Sequence, residues 1–270
     1  MTGFATVKHL SSKSVLNIEM PIPPVAEQRR IVNGLETAFA AITVARANTA
    51  QNLRNASDLF ASRVDAILEQ GGDGWATRRL GDVCRIARGG SPRPIQKFLT
   101  TSPEGINWIK IGDATASGKY IFKTKEKIIP AGVSRSRMVH EGDFLLSNSM
   151  SFGRPYIMRT SGCIHDGWLV LSDYEATMDQ DYLYHVLGST FLYRQFDRLA
   201  AGSTVRNLNI ELASRVDVPL PPIESQRSIA SHLETVQTET AHLDSVWRRK
   251  LAAIDELEQS LLNQAFPGAD

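Results

Sequence analysis

The sequence has little of what a membrane, secreted or metal-bound protein needs. No stretch approaches the roughly eighteen uninterrupted apolar residues of a membrane span, and the first twenty residues lack the basic-then-apolar order of a secretory signal. A cytoplasmic location with no membrane partner is therefore expected. Only two cysteines occur, Cys84 and Cys163, far apart and outside any C-x-x-C spacing. Neither a disulfide framework nor a zinc site is indicated, and both read as reduced, packed thiols. Catalytic motifs are equally scarce: there is no G-x-x-x-x-G-K-[ST] loop for a nucleotide phosphate, no Asp-Pro-Pro-Tyr or Asn-Pro-Pro-Tyr run for a flipped adenine, and no H-E-x-x-H helix for a metal. These absences favour a binding protein, without catalytic residue, metal or cofactor of its own, over an enzyme.

What is present is a chain of 270 residues, 42% hydrophobic, long enough to bury a core and to divide into more than one unit. Its formal net charge is only +1, but the charge is unevenly spread. Residues 85–137 hold eleven Lys or Arg (Arg85, Arg88, Arg93, Lys97, Lys110, Lys119, Lys123, Lys125, Lys127, Arg135, Arg137) against three acids, whereas residues 166–181 carry acids alone. Gathered on one surface the first set would attract a polyanion; balanced in space by distant acids it would be an ordinary solvated face.

An internal repeat organises the chain. Thr6-Val7-Lys8-His9-Leu10, Pro21-Ile22-Pro23-Pro24-Val25 and Gln28-Arg29-x-Ile31-x-x-x-Leu35-Glu36-Thr37 return 198 residues later as Thr204-Val205-Arg206-Asn207-Leu208, Pro219-Leu220-Pro221-Pro222-Ile223 and Gln226-Arg227-x-Ile229-x-x-x-Leu233-Glu234-Thr235. Twelve of 32 positions are identical without a gap. In each copy the prolines forbid a helix and favour an extended lead-in, after which a long proline-free run begins.

The second run places Ile229, Leu233, Val236, Thr240, Leu243, Trp247, Ile254, Leu257 and Leu261 at alternating steps of four and three, with Lys250 interrupting, as in a coiled-coil seam. The first places Ile31, Leu35, Ala38, Ile42 and Ala45 on a stripe that shifts by one residue to Leu53, Phe60, Val64 and Ile67, as a stutter would, and ends at Gly71-Gly72. Helices of about forty residues are ~60 Å long and must pair lengthwise to cover such stripes.

Between them, from about Trp75 to Pro222, short apolar runs are broken by Gly, Pro, Ser and Asp. Residues 106–111, 143–147 and 168–171 read as strands, and 179–198 as one helix with Leu183, Val186, Leu187, Phe191 and Phe196 on its apolar face. The expected fold class is α+β: a globule of mixed strands and a few helices, flanked by two long α-helices forming an antiparallel coiled coil.

At this point the sequence resembles the specificity (S) subunits of type I restriction-modification systems. The residues that carry the likeness are Trp75-x-x-x-x-Leu80-Gly81-Asp82-Val83, Gly89-Gly90-Ser91-Pro92, Trp108-Ile109-Lys110-Ile111-Gly112-Asp113, Gly142-Asp143-Phe144-Leu145-Leu146-Ser147, Gly202-Ser203-Thr204-Val205-Arg206-Asn207-Leu208 and Pro219-Leu220-Pro221-Pro222 with Gln226 and Ile229. Their order and the repeat make the set specific.

The resemblance implies the remnant tail of a missing recognition domain over residues 1–24, a first conserved long helix over 25–72, a DNA target-recognition domain over 73–222 and a second long helix over 223–270. It implies reading of one half of a bipartite target in double-stranded DNA, and docking of modification (methyltransferase) subunits on the coiled coil. Restriction subunits and a second copy of the chain are further expected partners. S-adenosylmethionine and the adenine methyltransferase and endonuclease activities would reside in those partners. The short N-terminus is open between a natural half-size subunit, a rearranged gene and an expressed fragment. Pairing of the helices within one chain or across a dimer is equally open.

Phosphate contacts need cations and donors, and base edges need bidentate side chains, so three loops are candidates for DNA contact. The first offers Arg88, Ser91 and Arg93, with Lys97 and Lys110 from the same basic stretch; its glycines would let backbone approach a phosphate, against the alternative of an ordinary turn. The second offers Asn148, Ser149, Ser151 and Arg154 after an apolar strand, with a hydrogen-bonded turn as the equal alternative. The third offers Thr204, Arg206 and Asn207, whose repetition in the first copy fits a shared phosphate-positioning role.

Lys119, Lys123, Lys125 and Lys127 read better as a solvated strand edge, and His140 and His165 as satisfied or exposed histidines. The seam residues expected on the helices are Ile31, Leu35, Ile42, Leu53, Phe60 and Ile67, facing Ile229, Leu233, Val236, Leu243, Trp247, Ile254, Leu257 and Leu261. The competing function is a coiled-coil protein-interaction scaffold with a globule that does not bind DNA; a stand-alone nuclease or methyltransferase is a weaker third.

Overall fold

The computed structural model describes residues 22–72, 74–148, 152–200 and 208–266. In chain order its elements are α1 (Val25–Gln70), β1 (Ala76–Arg79), α2 (Leu80–Val83), β2 (Arg85–Arg88), β3 (Leu99–Thr100), β4 (Ile106–Ile109), α3 (Ile111–Ser117), β5 (Tyr120–Ile121) and β6 (Glu126–Ile128). They continue with β7 (Arg137–Val139), β8 (Phe144–Ser147), β9 (Pro155–Met158), β10 (Gly162–Ile164), β11 (Trp168–Ser172), α4 (Gln180–Leu187), α5 (Thr190–Ala200), α6 (Ile210–Ser214), β12 (Asp217–Leu220) and α7 (Ile223–Ala265). The fold is α+β, with a mixed globule between two long helices. Two compact units are distinguished: one is Arg54–Asp244, and the other comprises the described residues up to Leu53 and from Ser245 onward.

Within Arg54–Asp244, the sheet ordered β2-β11-β8-β9-β5 is buried on both faces. Side chains alternate between those faces. Leu145, Tyr156, Met158, Trp168 and Val170 pack with Ile109, Val139 and Ile164 of the second sheet, ordered β3-β6-β4-β10-β7. Phe144, Leu146, Ile157, Leu169 and Leu171 instead pack with Leu183, Val186 and Leu192 on α4 and α5, and with Val64 and Leu68 of α1. Two-sided burial is why these strands read as continuous apolar runs. The Trp168 indole keeps its donor satisfied by giving it to the Ile109 carbonyl at 3.2 Å. Antiparallel pairing of β1 with β12, Ala76 opposite Leu220, ties the first strand of the globule to the last. Cys84 and Cys163 are free and buried, and burial pushes the Cys84 thiol up to about 12.

The strand expected over 106–111 stops at Ile109, because Lys110 N–H donates to the Asp113 carboxylate at 3.0 Å and opens α3. The single helix expected over 179–198 is two. Buried Ser189 sits at the break: its hydroxyl donates to the Val186 carbonyl at 2.6 Å and accepts from Leu192 N–H at 3.1 Å, ending α4 and capping α5.

Helices α1 and α7, of 46 and 43 residues, run antiparallel. Arg63 faces His232, and Arg46 meets Asp255 at 2.7 Å and also Glu258. Gly71, in the left-handed region at φ 60°, closes α1. On α7 the inward stripe after Thr240 runs through Asp244, Trp247, Leu251, Ile254, Glu258 and Leu261. Leu243 and Leu257, expected in the seam, are instead 38% and 51% exposed. The alternate seam position lies one residue later than the apolar pattern suggests, which leaves Lys250 outside and brings Leu251 in.

Ile254 and Leu233 are buried, and Ile229, Val236, Trp247 and Leu261 half-buried. On α1 Ile42 is buried and Ile31, Leu35, Leu53, Phe60 and Ile67 are half-buried, while the deepest positions beyond Ile42 include Thr49, Ala56, Val64 and Leu68. Burial of Thr49 is tolerated because its hydroxyl donates to the Ala45 carbonyl at 2.7 Å.

The repeat has a structural meaning at its glutamine. Gln28 and Gln226 both donate to the carbonyl five residues earlier, Pro23 at 2.8 Å and Pro221 at 2.9 Å. Gln226 is fully buried and also donates to the Thr177 carbonyl at 3.0 Å and accepts from Asp179 N–H at 2.9 Å, locking the start of α7 to the segment that opens α4. Gln28 is exposed. Thr6–Leu10 and Thr204–Asn207 lie outside the described residues.

Candidate nucleic-acid interface

Strand β2 ends at Arg88, and the chain turns through Gly89-Gly90 against its own backbone. Gly89 N–H donates to the Trp168 carbonyl at 2.9 Å and Gly90 N–H to that of Ile164 at 3.2 Å. A Cβ on Gly89 would stand 2.1 Å from the His165 carbonyl oxygen, and one on Gly90 2.8 Å from that of Arg135. The glycines therefore admit neighbouring protein backbone, which corrects the expectation that they clear room for a phosphate.

The turn is organised by Asp166, in the link between β10 and β11. Its carboxylate accepts from the Ser91 hydroxyl at 2.6 Å and from Arg93 at 3.1 Å, and its carbonyl accepts from Arg88 Nε at 2.9 Å and Asn148 Nδ2 at 2.8 Å. The Ser91 hydroxyl holds the Asp166 carboxyl below the usual carboxylate range, with smaller pulls from His165 and Arg93. Arg137, on the edge strand β7, donates to the Arg88 carbonyl at 2.7 Å. His165 accepts on Nδ1 from Gly167 N–H at 2.8 Å, and burial lowers its pKa. Lys110 is near enough to oppose its protonation.

Arg88, Ser91, Arg93 and Lys110 thus share one edge of the globule with Arg137. Arg93 is 79% exposed, and its contact with half-exposed Asp166 is worth about 0–1 kcal/mol, so it exchanges readily for another anion. Lys97 is exposed on the short turn over Ile95–Lys97, and Lys110 is paired with Glu126 at 2.7 Å.

One expected contact is corrected. Asn148 is fully buried, because it serves as an internal strut: its main chain donates to Gly167 and accepts from Leu208, and its side chain holds Asp166. Arg154 is exposed but belongs elsewhere, since it leads into β9, which β11 and β8 separate from β2. It lines a cavity of about 870 Å³ with Phe60, Tyr184, His185 and Tyr193. Ser149, Ser151, Thr204, Arg206 and Asn207 lie outside the described residues.

Lys119 departs from the solvated-edge reading as well: it pairs with Asp181 at 2.7 Å and Glu234 at 2.9 Å, while Lys123 and Lys125 are exposed. Arg137 and Asp166 are absent from the sequence-based site. They reach it only through the pairing of β7 with β10 and the turn that follows, which nothing local in the sequence announces.

A family described as the type I restriction modification DNA specificity domain matches residues 72–245. The chain belongs to that family. It is similar to the EcoBI specificity subunit of Escherichia coli, 24% identical over 296 residues that cover 99% of this chain and 61% of that protein. It is also similar to the MjaVIII specificity subunit of Methanocaldococcus jannaschii, 20% identical with 97% and 64% covered.

Among solved structures, a chain from a study of complex assembly and conformational transition in a type I R-M system superposes with TM-score 0.78 at 25% identity, over 96% of this chain and 64% of that one. The HsdS subunit from Thermoanaerobacter tengcongensis shares the fold, with TM-score 0.63 at 24% identity over 99% and 65%. The chain spans less than two thirds of each of these relatives. The family match covers all of the Asp166-centred edge. No helix among the described residues is long and apolar enough to cross a membrane.

Proposed function

We propose that this chain is a sequence-reading subunit of a type I restriction-modification complex, and that the edge built from Arg88, Ser91, Arg93, Lys110 and Arg137 meets double-stranded DNA. The observation that carries the reading is the convergence of Arg88, Ser91, Arg93 and Arg137 on one exposed edge inside the DNA-specificity family match. Guanidinium groups there supply the phosphate attraction on which duplex affinity depends, and the polar groups between them face base edges.

In this reading the domain addresses one half of a bipartite target. The paired helices α1 and α7 dock modification subunits, and restriction subunits join them. The chain is non-catalytic, and adenine methylation with S-adenosylmethionine, like DNA cleavage, belongs to those partners. A second copy of the chain is a further candidate partner, and the working location is the cytoplasm.

The test is a gel shift with a random duplex library, with and without a modification subunit. Enrichment of a motif is the expected result, with overall duplex affinity weakened by Arg88→Ala and Arg93→Ala and the slope of log affinity against log salt shallower by about one for each lost phosphate contact. Absence of retention even at low salt would point to a scaffold whose globule binds protein.

A further inference from the structure

Resting on the DNA reading above, we propose that Asp166 is a specificity-determining residue whose carboxylate accepts a hydrogen bond from the exocyclic amine of one base, adenine N6 or cytosine N4, once Arg93 has moved from it to a phosphate. A carboxylate placed among duplex-facing guanidinium groups is repelled by every phosphate that approaches. On DNA an acceptor is matched only at base edges, where adenine and cytosine present amines in the major groove.

The environment of Asp166 separates what is fixed from what is free. Oδ1 is held by the Ser91 hydroxyl at 2.6 Å, and the main-chain carbonyl is held by Arg88 and by buried Asn148. Among the described residues Oδ2 has only the Arg93 contact, at 3.1 Å from a side chain 79% exposed, while the Asp166 side chain itself is 42% exposed. The residue is therefore aimed before DNA arrives, with one acceptor position covered by a cation that a phosphate can draw away. Arg93 and Asp166 then separate onto the two parts of the duplex that suit their charges.

The test uses the chain assembled with its modification subunit and the duplex motif it enriches, with each base pair replaced in turn. The wild type should require an amino base at one position of one particular strand, and whether that base is adenine or cytosine identifies the amine. Asp166→Asn, which keeps the shape but turns an acceptor towards a donor, should lose roughly ten-fold discrimination at that position alone and bind random duplex at least as tightly as the wild type. Arg93→Ala should weaken all duplexes alike and keep that preference. An Asn variant with the full wild-type base profile, or one weakened equally on every duplex with an unchanged thermal midpoint, overturns the assignment. So does loss of the preference in Arg93→Ala. A wild type without any base preference fails the DNA reading itself, a different result from failure of Asp166 alone.

Discussion

Arg93 and Gln226 show how differently two polar side chains serve this molecule. The first is held by one exposed ion pair and is free to leave, whereas the second spends three hydrogen bonds inside the protein. Gln226→Ala would strand Asp179 N–H and two carbonyls, and should cost about 1–3 kcal/mol in urea unfolding. Its repeat mate Gln28→Ala, at an exposed position, should change stability by a few tenths. His185 supplies a pH dependence. Burial among Phe60 and Tyr184 lowers its pKa from 6.5 to about 4, so the neutral ring is favoured in the fold.

The unfolded chain then binds the extra proton between pH 6.5 and 4, and stability present above that window falls by roughly 3 kcal/mol as pH drops through it. Urea titrations across the window should show the loss, and His185→Phe should remove this part of it. At this scale the sequence exposes loop chemistry better than burial. Arg88, Ser91 and Arg93 are recognisable because glycine and proline mark their turn. Asn148, a polar residue just past a strand, looks like a loop donor although it is enclosed. Asp166 is hidden because Arg88, Ser91 and Arg93, which it gathers, are 73 to 78 residues away along the chain.

The long helices were readable from the proline lead-ins, the apolar period and the terminal glycines, and they appear as α1 and α7. Their register was less so. Hydrophobicity alone favours Leu243 and Leu257, but Arg46 draws Glu258 inward and Leu251 replaces Lys250 in the seam. The small residues Thr49 and Ala56 carry little apolar weight in a periodicity count and yet are among the deepest on α1.

The corrected register makes a contrast prediction. Leu233→Ala, from a residue 1% exposed, should cost about 2–5 kcal/mol, and Leu243→Ala less than about 1. Equal losses in thermal or urea unfolding would restore the register drawn from the sequence. The break at Ser189 is invisible in the sequence for a similar reason, since a buried hydroxyl that ends one helix and starts the next leaves the apolar stripe across 179–198 unbroken.

At the scale of the whole molecule, charge is sorted by folding rather than by order along the chain. Of the eleven basic residues in 85–137, Lys119 is spent on Asp181 and Glu234 and Lys110 is paired with Glu126. Arg88, Arg93 and Arg137 meet at one edge. A count of charges could suggest a polyanion site but could not place it, because its position depends on which strands pair. The match to the DNA-specificity family over 72–245 includes this edge.

Hydrogen exchange on the chain assembled with a modification subunit, compared with and without its enriched duplex, tests the central claim most directly. Protection concentrated in residues 85–93, 135–137 and 164–167 is predicted. Protection confined to the Arg154 cavity, or none in these three segments despite bound duplex, would contradict it.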